Sequence, residues 1–334
     1  MSRFIKGLVL LTFFYPLRWF VHCFPWRQGL RLGVLLGTAH AWLVRDQLCG
    51  QVSAGLRSVF HRDMSEAEIR RVVRRNLVAR YQHLIDSFFY QDLDEECIDQ
   101  FVPIVEGRGV LDAALAEGKG AILLASHFGS PGMLVAGLVF RGYWLHQVFT
   151  LTPPPHYRTW HWMERAIMQA KLRCWQHDRV GFEFWQPGSY LRPLYRKLQQ
   201  GAIVVLYGDG ARGGHFTQVD FLGLPLSLSV GPFRIAARAG VPLIPAFIIR
   251  DADGRHRIIL EAPMMLPDAE PTSLQQAADR YAALLSRYVR AYPDHWFTWA
   301  RLRLHQHTAG VTLTLATTDV GRTHFYTPTI HQEI

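Results

Sequence analysis

Cysteine is scarce. The 334-residue chain has four, Cys23, Cys49, Cys97 and Cys174, and none of their spacings is the paired pattern of a zinc site or the dense framework of a disulfide-stapled domain, which points to a reducing, cytosol-facing location. Acid is also scarce: 27 Asp plus Glu face 36 Lys plus Arg, a formal charge of +9 with an isoelectric point near 9.6. Long unbroken apolar runs are missing as well. Phe4 to Phe24 is apolar and aromatic, but Lys6, Pro16 and Arg18 interrupt it and its longest uncharged run is Gly7–Leu17, short of the roughly 20 residues that a spanning helix needs. The aromatic, basic Phe24-Pro-Trp-Arg27 offers no small-residue exit for a signal peptidase. Also lacking are a helix-turn-helix, a zinc finger and a basic stripe interleaved with exposed aromatics, which excludes the common nucleic-acid readers. His156 and His161, and His305 with His307, have no acidic neighbours in a zinc-protease pattern, so no metal site is expected.

What is present leans toward membranes. The chain is 49% hydrophobic with a mean hydropathy of +0.03, and its positive charge favours anionic partners: phospholipid headgroups, a phosphorylated cofactor or an acidic carrier protein. Residues 1–27 read as an uncleaved anchor or interfacial helix, with Trp19, Trp26, Arg18 and Arg27 at headgroup level; a buried amphipathic helix is the competing reading.

From Ser65 to Phe89 the apolar residues recur at helical spacing behind the capping box Ser65-Glu-Ala-Glu68, while Arg70, Arg71, Arg74, Arg75 and Arg80 are assigned to the opposite, solvated face. Beyond a short helix near 110–117, apolar strands and helices alternate. Strands are expected at 121–124, 144–152, 202–207, 241–249 and 257–260, the last two paired across the turn Asp251-Ala-Asp-Gly254. Helices are expected at 157–171, 191–200, 231–239 and 273–292. This rhythm predicts an α/β fold, one domain with a central, mostly parallel sheet covered by helices on both faces. Residues 304–334, rich in Thr and His, read as a frayed C-terminal tail.

The chain is organised around Gly120-Ala-Ile-Leu-Leu-Ala-Ser-His127-Phe-Gly-Ser-Pro-Gly132. A short buried strand delivers His127 just past its C-terminal end, before a turn and an apolar helix, in the crevice where open α/β sheets bind ligands. A loop histidine that merely hydrogen-bonds is the alternative. Three other places follow strand or loop ends: Arg173 with Arg179, Asp209, and Phe221-Leu-Gly-Leu-Pro225 with Ser227 and Ser229. Ser126 precedes His127, but adjacent strand residues face opposite ways, and the stretch lacks the Gly-x-Ser-x-Gly elbow of a serine hydrolase.

Six pieces, in order, resemble one family. They are Arg75-Asn-Leu77, Gly118-Lys-Gly120 leading into Ser-His-Phe-Gly129, Gly201-Ala-Ile-Val-Val before Asp209, Phe221-Leu-Gly-Leu-Pro225, Gly240-Val-Pro-Leu-Ile-Pro245 and Tyr292-Pro-Asp-His-Trp-Phe-Thr-Trp299. Together they are similar to the bacterial lipid A late acyltransferases of the lysophospholipid acyltransferase superfamily, over about residues 5 to 303. The resemblance implies a lysophospholipid acyltransferase-like domain at 28–303, at the cytoplasmic face of the bacterial inner membrane. It implies transfer of a fatty acyl chain from an acyl thioester, on acyl carrier protein or coenzyme A, to a hydroxyl or amine of a lipid or glycolipid such as a lipid A precursor. The thioester is a co-substrate, and no cofactor is expected. By the same resemblance His127 is the general base, Arg173 and less directly Arg179 meet a phosphate or the developing oxyanion, and Asp209 belongs to the site. Gly129, Ser130, Phe221, Gly223 and Pro225 are its remaining candidate substrate contacts.

One position departs from the family's pattern, in which an Asp or Glu follows the histidine after four residues: here Gly132 stands in that place, and Ser130-Pro131 replaces the usual Asn-Trp pair. The imidazole could then be oriented by a carboxylate from elsewhere, with Glu164, Asp178 and Asp209 as candidates, or by a backbone carbonyl. The other readings are a more nucleophilic acceptor that needs less help, an impaired member that binds lipid or carrier protein, and a thioester hydrolase.

Overall fold

The computed structural model describes residues 11, 13–43, 47–149, 182–184, 191–210, 214–307 and 310–316. Helices α1 (Arg18–His22), α2 (Trp26–Leu43), α3 (Gln47–Phe60) and α4 (Glu66–Phe89) come first, followed by the single turn α5 (Ile98–Phe101). The capping box forms as the sequence predicts: Glu68 N donates to Ser65 Oγ at 3.3 Å, and Ser65 N donates back to Glu68 Oε2 at 2.8 Å. Strand β1 (Ile104–Glu106) and helix α6 (Arg108–Ala116) lead into β2 (Ala121–Ala125), α7 (Pro131–Val139), β3 (Leu145–Phe149) and β4 (Phe182–Phe184). Then follow α8 (Arg192–Gln199), β5 (Ile203–Tyr207), β6 (Phe216–Phe221), β7 (Leu224–Ser229), α9 (Gly231–Ala239), β8 (Leu243–Arg250), β9 (His256–Leu260) and α10 (Pro271–Ala291). Strands β10 (Leu302–His307) and β11 (Gly310–Leu315) end the described chain. The helix expected at 157–171 lies outside the described residues.

Seven strands form one sheet in the order β1-β9-β8-β2-β5-β3-β4. All neighbours are parallel except β8 and β9, which pair antiparallel from Ala246↔Leu260 to Arg250↔His256 across the expected turn. Strand β2 is buried at every position, and β5 from Ile203 to Leu206, as interior strands covered on both faces must be. Two apolar clusters lie on the two sides of this sheet. Alternate β2 residues divide between them, Ile122 and Leu124 in one, Ala121, Leu123 and Ala125 in the other.

Four expectations are corrected. Trp26, expected at headgroup level, is buried, and its Nε1 donates to Asp86 Oδ1 at 3.2 Å. A second sheet exists, in the order β10-β11-β7-β6. Phe221-Leu-Gly-Leu224 is its hairpin turn, with Leu222 at φ 57° and Gly223 at φ 86°, the pair of positive values that two-residue hairpins of type I′ require. The tail expected to fray from residue 304 instead supplies most of β10 and all of β11, paired from Leu302↔Leu315 to His307↔Gly310, with His305 bonded to Thr314 and His307 to Thr312. Arg80, assigned to the solvated face of α4, is buried: its Nε donates to Asn76 Oδ1 at 2.8 Å and its guanidinium also bonds the Phe297 carbonyl. Arg70, Arg71, Arg74 and Arg75 are exposed as expected. No helix among the described residues is long and apolar enough to cross a membrane.

Candidate active site

The sheet's register sets the site. Strands β2 and β5 run parallel with Ala125 opposite Tyr207, so the residues two positions further on, His127 and Asp209, emerge side by side. His127 Nδ1 lies 2.8 Å from Asp209 Oδ1. The His127 backbone N–H also donates to both carboxylate oxygens, at 3.1 and 3.0 Å, and Oδ2 accepts from Trp296 Nε1 at 2.9 Å and Thr298 Oγ1 at 2.8 Å. The Asp209 side chain has no solvent exposure, whereas that of His127 keeps 17%. Burial pushes the Asp209 carboxyl up. The field of His127 and the hydrogen bonds from His127, Thr298 and Trp296 outweigh that cost and hold it at about 2, so it is a carboxylate throughout the physiological range.

The tautomer follows from this pairing. A carboxylate only accepts, so the proton of a neutral His127 sits on Nδ1 and Nε2 keeps its lone pair. No group among the described residues bonds Nε2. The Tyr207 ring packs against the imidazole, centroids 4.7 Å apart, and its hydroxyl accepts from Gln147 Nε2 at 3.0 Å. The dyad is thus a buried anion behind a partly exposed base, an arrangement that can remove a proton from a hydroxyl and stabilise the resulting imidazolium.

The loop carrying His127 is strapped from the other side by residues 295–297. Gly129 N–H donates to the His295 carbonyl at 2.9 Å and Phe297 N–H to the His127 carbonyl at 2.8 Å. Gly129 stands at φ 63°, where an added Cβ would lie 2.1 Å from the Ile248 carbonyl oxygen, so this position requires glycine. Asn76 and Arg80 on α4 hold the strap in turn, Asn76 Nδ2 donating to the carbonyls of Asp294 and Trp296 at 2.8 and 3.0 Å.

A second buried anion lies further along the loop. Ser130 Oγ donates to Asp86 Oδ2 at 2.8 Å and accepts from His83 Nδ1 at 2.9 Å. Asp86 also pairs with the Arg250 guanidinium, stands 3.2 Å from His256 Nε2 and accepts from Trp26 Nε1 at 3.2 Å. Arg250 and His256 hold its carboxyl below the usual range despite complete burial. Burial drives His83 down to about 4, and burial together with the charge of Arg250 does the same to His256. Gly132 faces the Tyr90 side chain: a Cβ there would sit 2.0 Å from the Tyr90 hydroxyl oxygen.

Of the residues singled out in the sequence, the structure gathers His127, Gly129 and Ser130 on one loop and sets Asp209 against it. Arg173 and Arg179 lie outside the described residues, as do Glu164 and Asp178. Phe221 is not a surface contact: it is fully buried and packed on Trp296, the tryptophan that bonds Asp209, with centroids 5.0 Å apart. Gly223 and Pro225 sit on the exposed β6–β7 hairpin, and Gly223 borders a separate groove lined by α3 and β10 residues such as Gln51, Arg57 and Leu304. Sequence reasoning gave no role to Trp296, Thr298, Asn76, His83 or Asp86. A signal existed for the last three: Asn76, Arg80, His83 and Asp86 recur every three or four residues, a polar stripe on the buried face of α4.

Two curated relatives, both described as phosphatidylinositol mannoside acyltransferase and both from Mycobacterium tuberculosis (strains CDC 1551 / Oshkosh and ATCC 25618 / H37Rv), are 27% identical to this chain over 199 residues, 58% of this chain and 57% of theirs. The chain thus spans little more than half the length of these relatives. A sequence profile described as "Bacterial lipid A biosynthesis acyltransferase" matches residues 9–305, a span that contains the β2 strand, the His127–Asp209 dyad and its strap, and the chain belongs to that family.

Proposed function

We propose that this protein transfers a fatty acyl chain from an acyl thioester, carried by acyl carrier protein or coenzyme A, to a hydroxyl of a lipid or glycolipid. The observation that carries the reading is the His127–Asp209 dyad, with Nδ1 bonded to a fully buried carboxylate. His127 Nε2 takes the proton of the acceptor hydroxyl as its oxygen adds to the thioester carbonyl. The tetrahedral intermediate collapses, the C–S bond breaks, and the imidazolium returns the proton to the leaving thiolate. Asp209 stabilises the imidazolium between these steps.

Membership of a lipid A acyltransferase family, together with relatives named for a mannoside of phosphatidylinositol, supports a glycosylated lipid as acceptor, with a lipid A precursor as one member of that class. Such an acceptor points to a reaction at a membrane, for which the cytoplasmic face of the bacterial inner membrane is the reading, with the stretch 1–27 at the interface through exposed side chains such as Trp19 while Trp26 is buried, 28–303 as the acyltransferase domain, and Arg173 and Arg179 meeting acceptor phosphate or the oxyanion. The test is radiolabelled acyl thioester offered with candidate acceptors. Parent protein should form labelled lipid and His127→Ala should not; transfer that survives the alanine would remove His127 from the mechanism, and hydrolysis alone would make the protein a thioesterase.

A further inference from the structure

Eight of the thirteen large apolar side chains exposed among the described residues lie between Tyr15 and Leu43. On α2 they form a strip. Leu35, Ala39 and Trp42 share one side, with Val34 and Leu43 exposed at its two edges, and Leu35, Trp42 and Leu43 are 67%, 65% and 82% exposed. The spacing 35, 39, 42 keeps these three within about 60° of one another around the helix, and the exposed strip from Val34 to Leu43 is about 14 Å long at 1.5 Å per residue. A soluble surface rarely keeps so large a contiguous apolar strip unless something covers it.

The helix cannot roll to hide this face. Its other side presents Gly33 and Gly37 to α4 so closely that a Cβ at Gly37 would lie 2.6 Å from Val78 Cα, and one at Gly33 3.2 Å from Gln82 Cα. Trp26, at the start of α2, reaches through to Asp86. The strip is therefore a fixed feature of the folded body, on the far side of the helix pair from the Ser130 end of the histidine loop.

Charge identifies what covers it. From Met1 to Arg45 there is no Asp or Glu, while Arg27 and Arg31 are exposed on α2 ahead of the strip. The Arg74 guanidinium of α4 lies 4.6 Å from the centroid of the Trp42 ring, with Arg70 and Arg71 exposed nearby on the same helix. A second copy of this face would bring arginines against arginines. A bilayer with anionic headgroups accepts the apolar strip below and the arginines at its rim.

We propose that the outer face of α2, centred on Leu35, Trp42 and Leu43, is the surface on which the folded protein seats on anionic phospholipid; this rests on the reading of the protein as a membrane-lipid acyltransferase. Membrane attachment is then built into the body that holds the site, and residues 1–27 are not its sole source.

The test is flotation of the full chain with vesicles of phosphatidylethanolamine and phosphatidylglycerol. The double variant Leu35→Glu/Leu43→Glu should partition at least about tenfold more weakly than the parent, while Met265→Glu, at an exposed apolar residue elsewhere, should bind as the parent does. Both variants should melt with the parent. Replacing phosphatidylglycerol by phosphatidylcholine should weaken the parent too. Equal partition of the double variant and parent would overturn the seat while leaving acyl transfer at a membrane standing. A parent that floats with no vesicle would overturn both. A parent dimer that the double variant dissociates, with vesicle binding unchanged, would make the face an interface between copies instead.

Discussion

Replacing Asp209 by asparagine tests the dyad with the smallest change of shape. The carboxylate accepts five contacts from four donor groups, two at Oδ1 and three at Oδ2, whereas an amide offers one acceptor and one donor end. With its oxygen toward His127, the NH2 meets the Trp296 indole N–H donor to donor, although the Thr298 hydroxyl can turn and accept. With the amide flipped, the NH2 meets His127 Nδ1, which must give up its proton, and Nε2 becomes the protonated, non-basic nitrogen. In either orientation the negative charge facing the imidazolium is gone. In hydrolases built on a comparable pairing, the same change costs about 10⁴ in rate, which is about 5 kcal/mol of transition-state stabilisation. Asp209 is fully buried behind His127 and meets no substrate, so KM should change little and kcat should carry the loss. The assay is labelled acyl transfer under saturating thioester, read as kcat and KM separately. Donors left unsatisfied cost about 1–3 kcal/mol, so melting is measured alongside to separate misfolding from mis-orientation. A folded Asp209→Asn protein within tenfold of the parent in kcat would refute the idea that Asp209 orients His127.

The remaining predictions concern the loop and its supports. Gly129→Ala should destabilise by more than about 2 kcal/mol in urea unfolding, since it combines a left-handed backbone with a Cβ 2.1 Å from the Ile248 oxygen. Gly132→Asp should lower the melting temperature sharply, because the Tyr90 ring fills that space. The double variant Tyr90→Ala/Gly132→Asp should then be more stable than the sum of its singles, by a coupling of about 1–3 kcal/mol. Acid should weaken the fold in a defined window. His83 and His256 are each lowered from 6.5 to about 4, so the folded state holds them neutral, stability is full above pH 6.5, and it falls as the pH drops toward 4. With up to two extra protons taken up on unfolding, the slope reaches at most about 2.7 kcal/mol per pH unit, and His256→Gln should halve it in urea titrations between those values. Asp209, held at about 2, adds its own loss only below about pH 4.

Much of this architecture was readable from periodicity. The buried strands β2 and β5, the capped helix α4 and the β8–β9 hairpin each carry a local signal, an apolar run, a capping box or an Asp-x-Asp-Gly turn. What periodicity cannot give is which strands are neighbours. Asp209 is one of three carboxylates that the sequence offers as candidates to orient the imidazole, and only the pairing of Ala125 with Tyr207, 82 residues apart, brings it to His127. The stretch 292–298 around the strap carries no regular period, so Trp296 and Thr298 had no visible role as donors to a buried carboxylate. Arg80 was misassigned because five arginines within eleven residues look like one charged face, yet the helical spacing puts Arg80 in line with Asn76 and His83. The β6–β7 turn escaped notice because its central pair is Leu222-Gly223, without the Asn-Gly or Asp-Gly that marks most such turns.

The two buried carboxylates divide the support of the histidine loop between the two neighbours of β2. Asp209 follows β5 and meets His127 itself, and Arg250, at the end of β8, meets Asp86, which bonds Ser130. Each anion is compensated by several donors, the condition under which a buried charge is tolerated. Their functional weights differ, because Asp209 faces a group that changes charge during the proposed reaction, while Asp86 faces groups that do not. Loss of Asp86 should therefore appear first in stability and in the placement of the loop. Loss of Asp209 should appear in kcat even when the fold survives. With the carboxylate that meets His127 supplied from the strand beside β2, the start of α7 carries no charge and packs Gly132 against Tyr90.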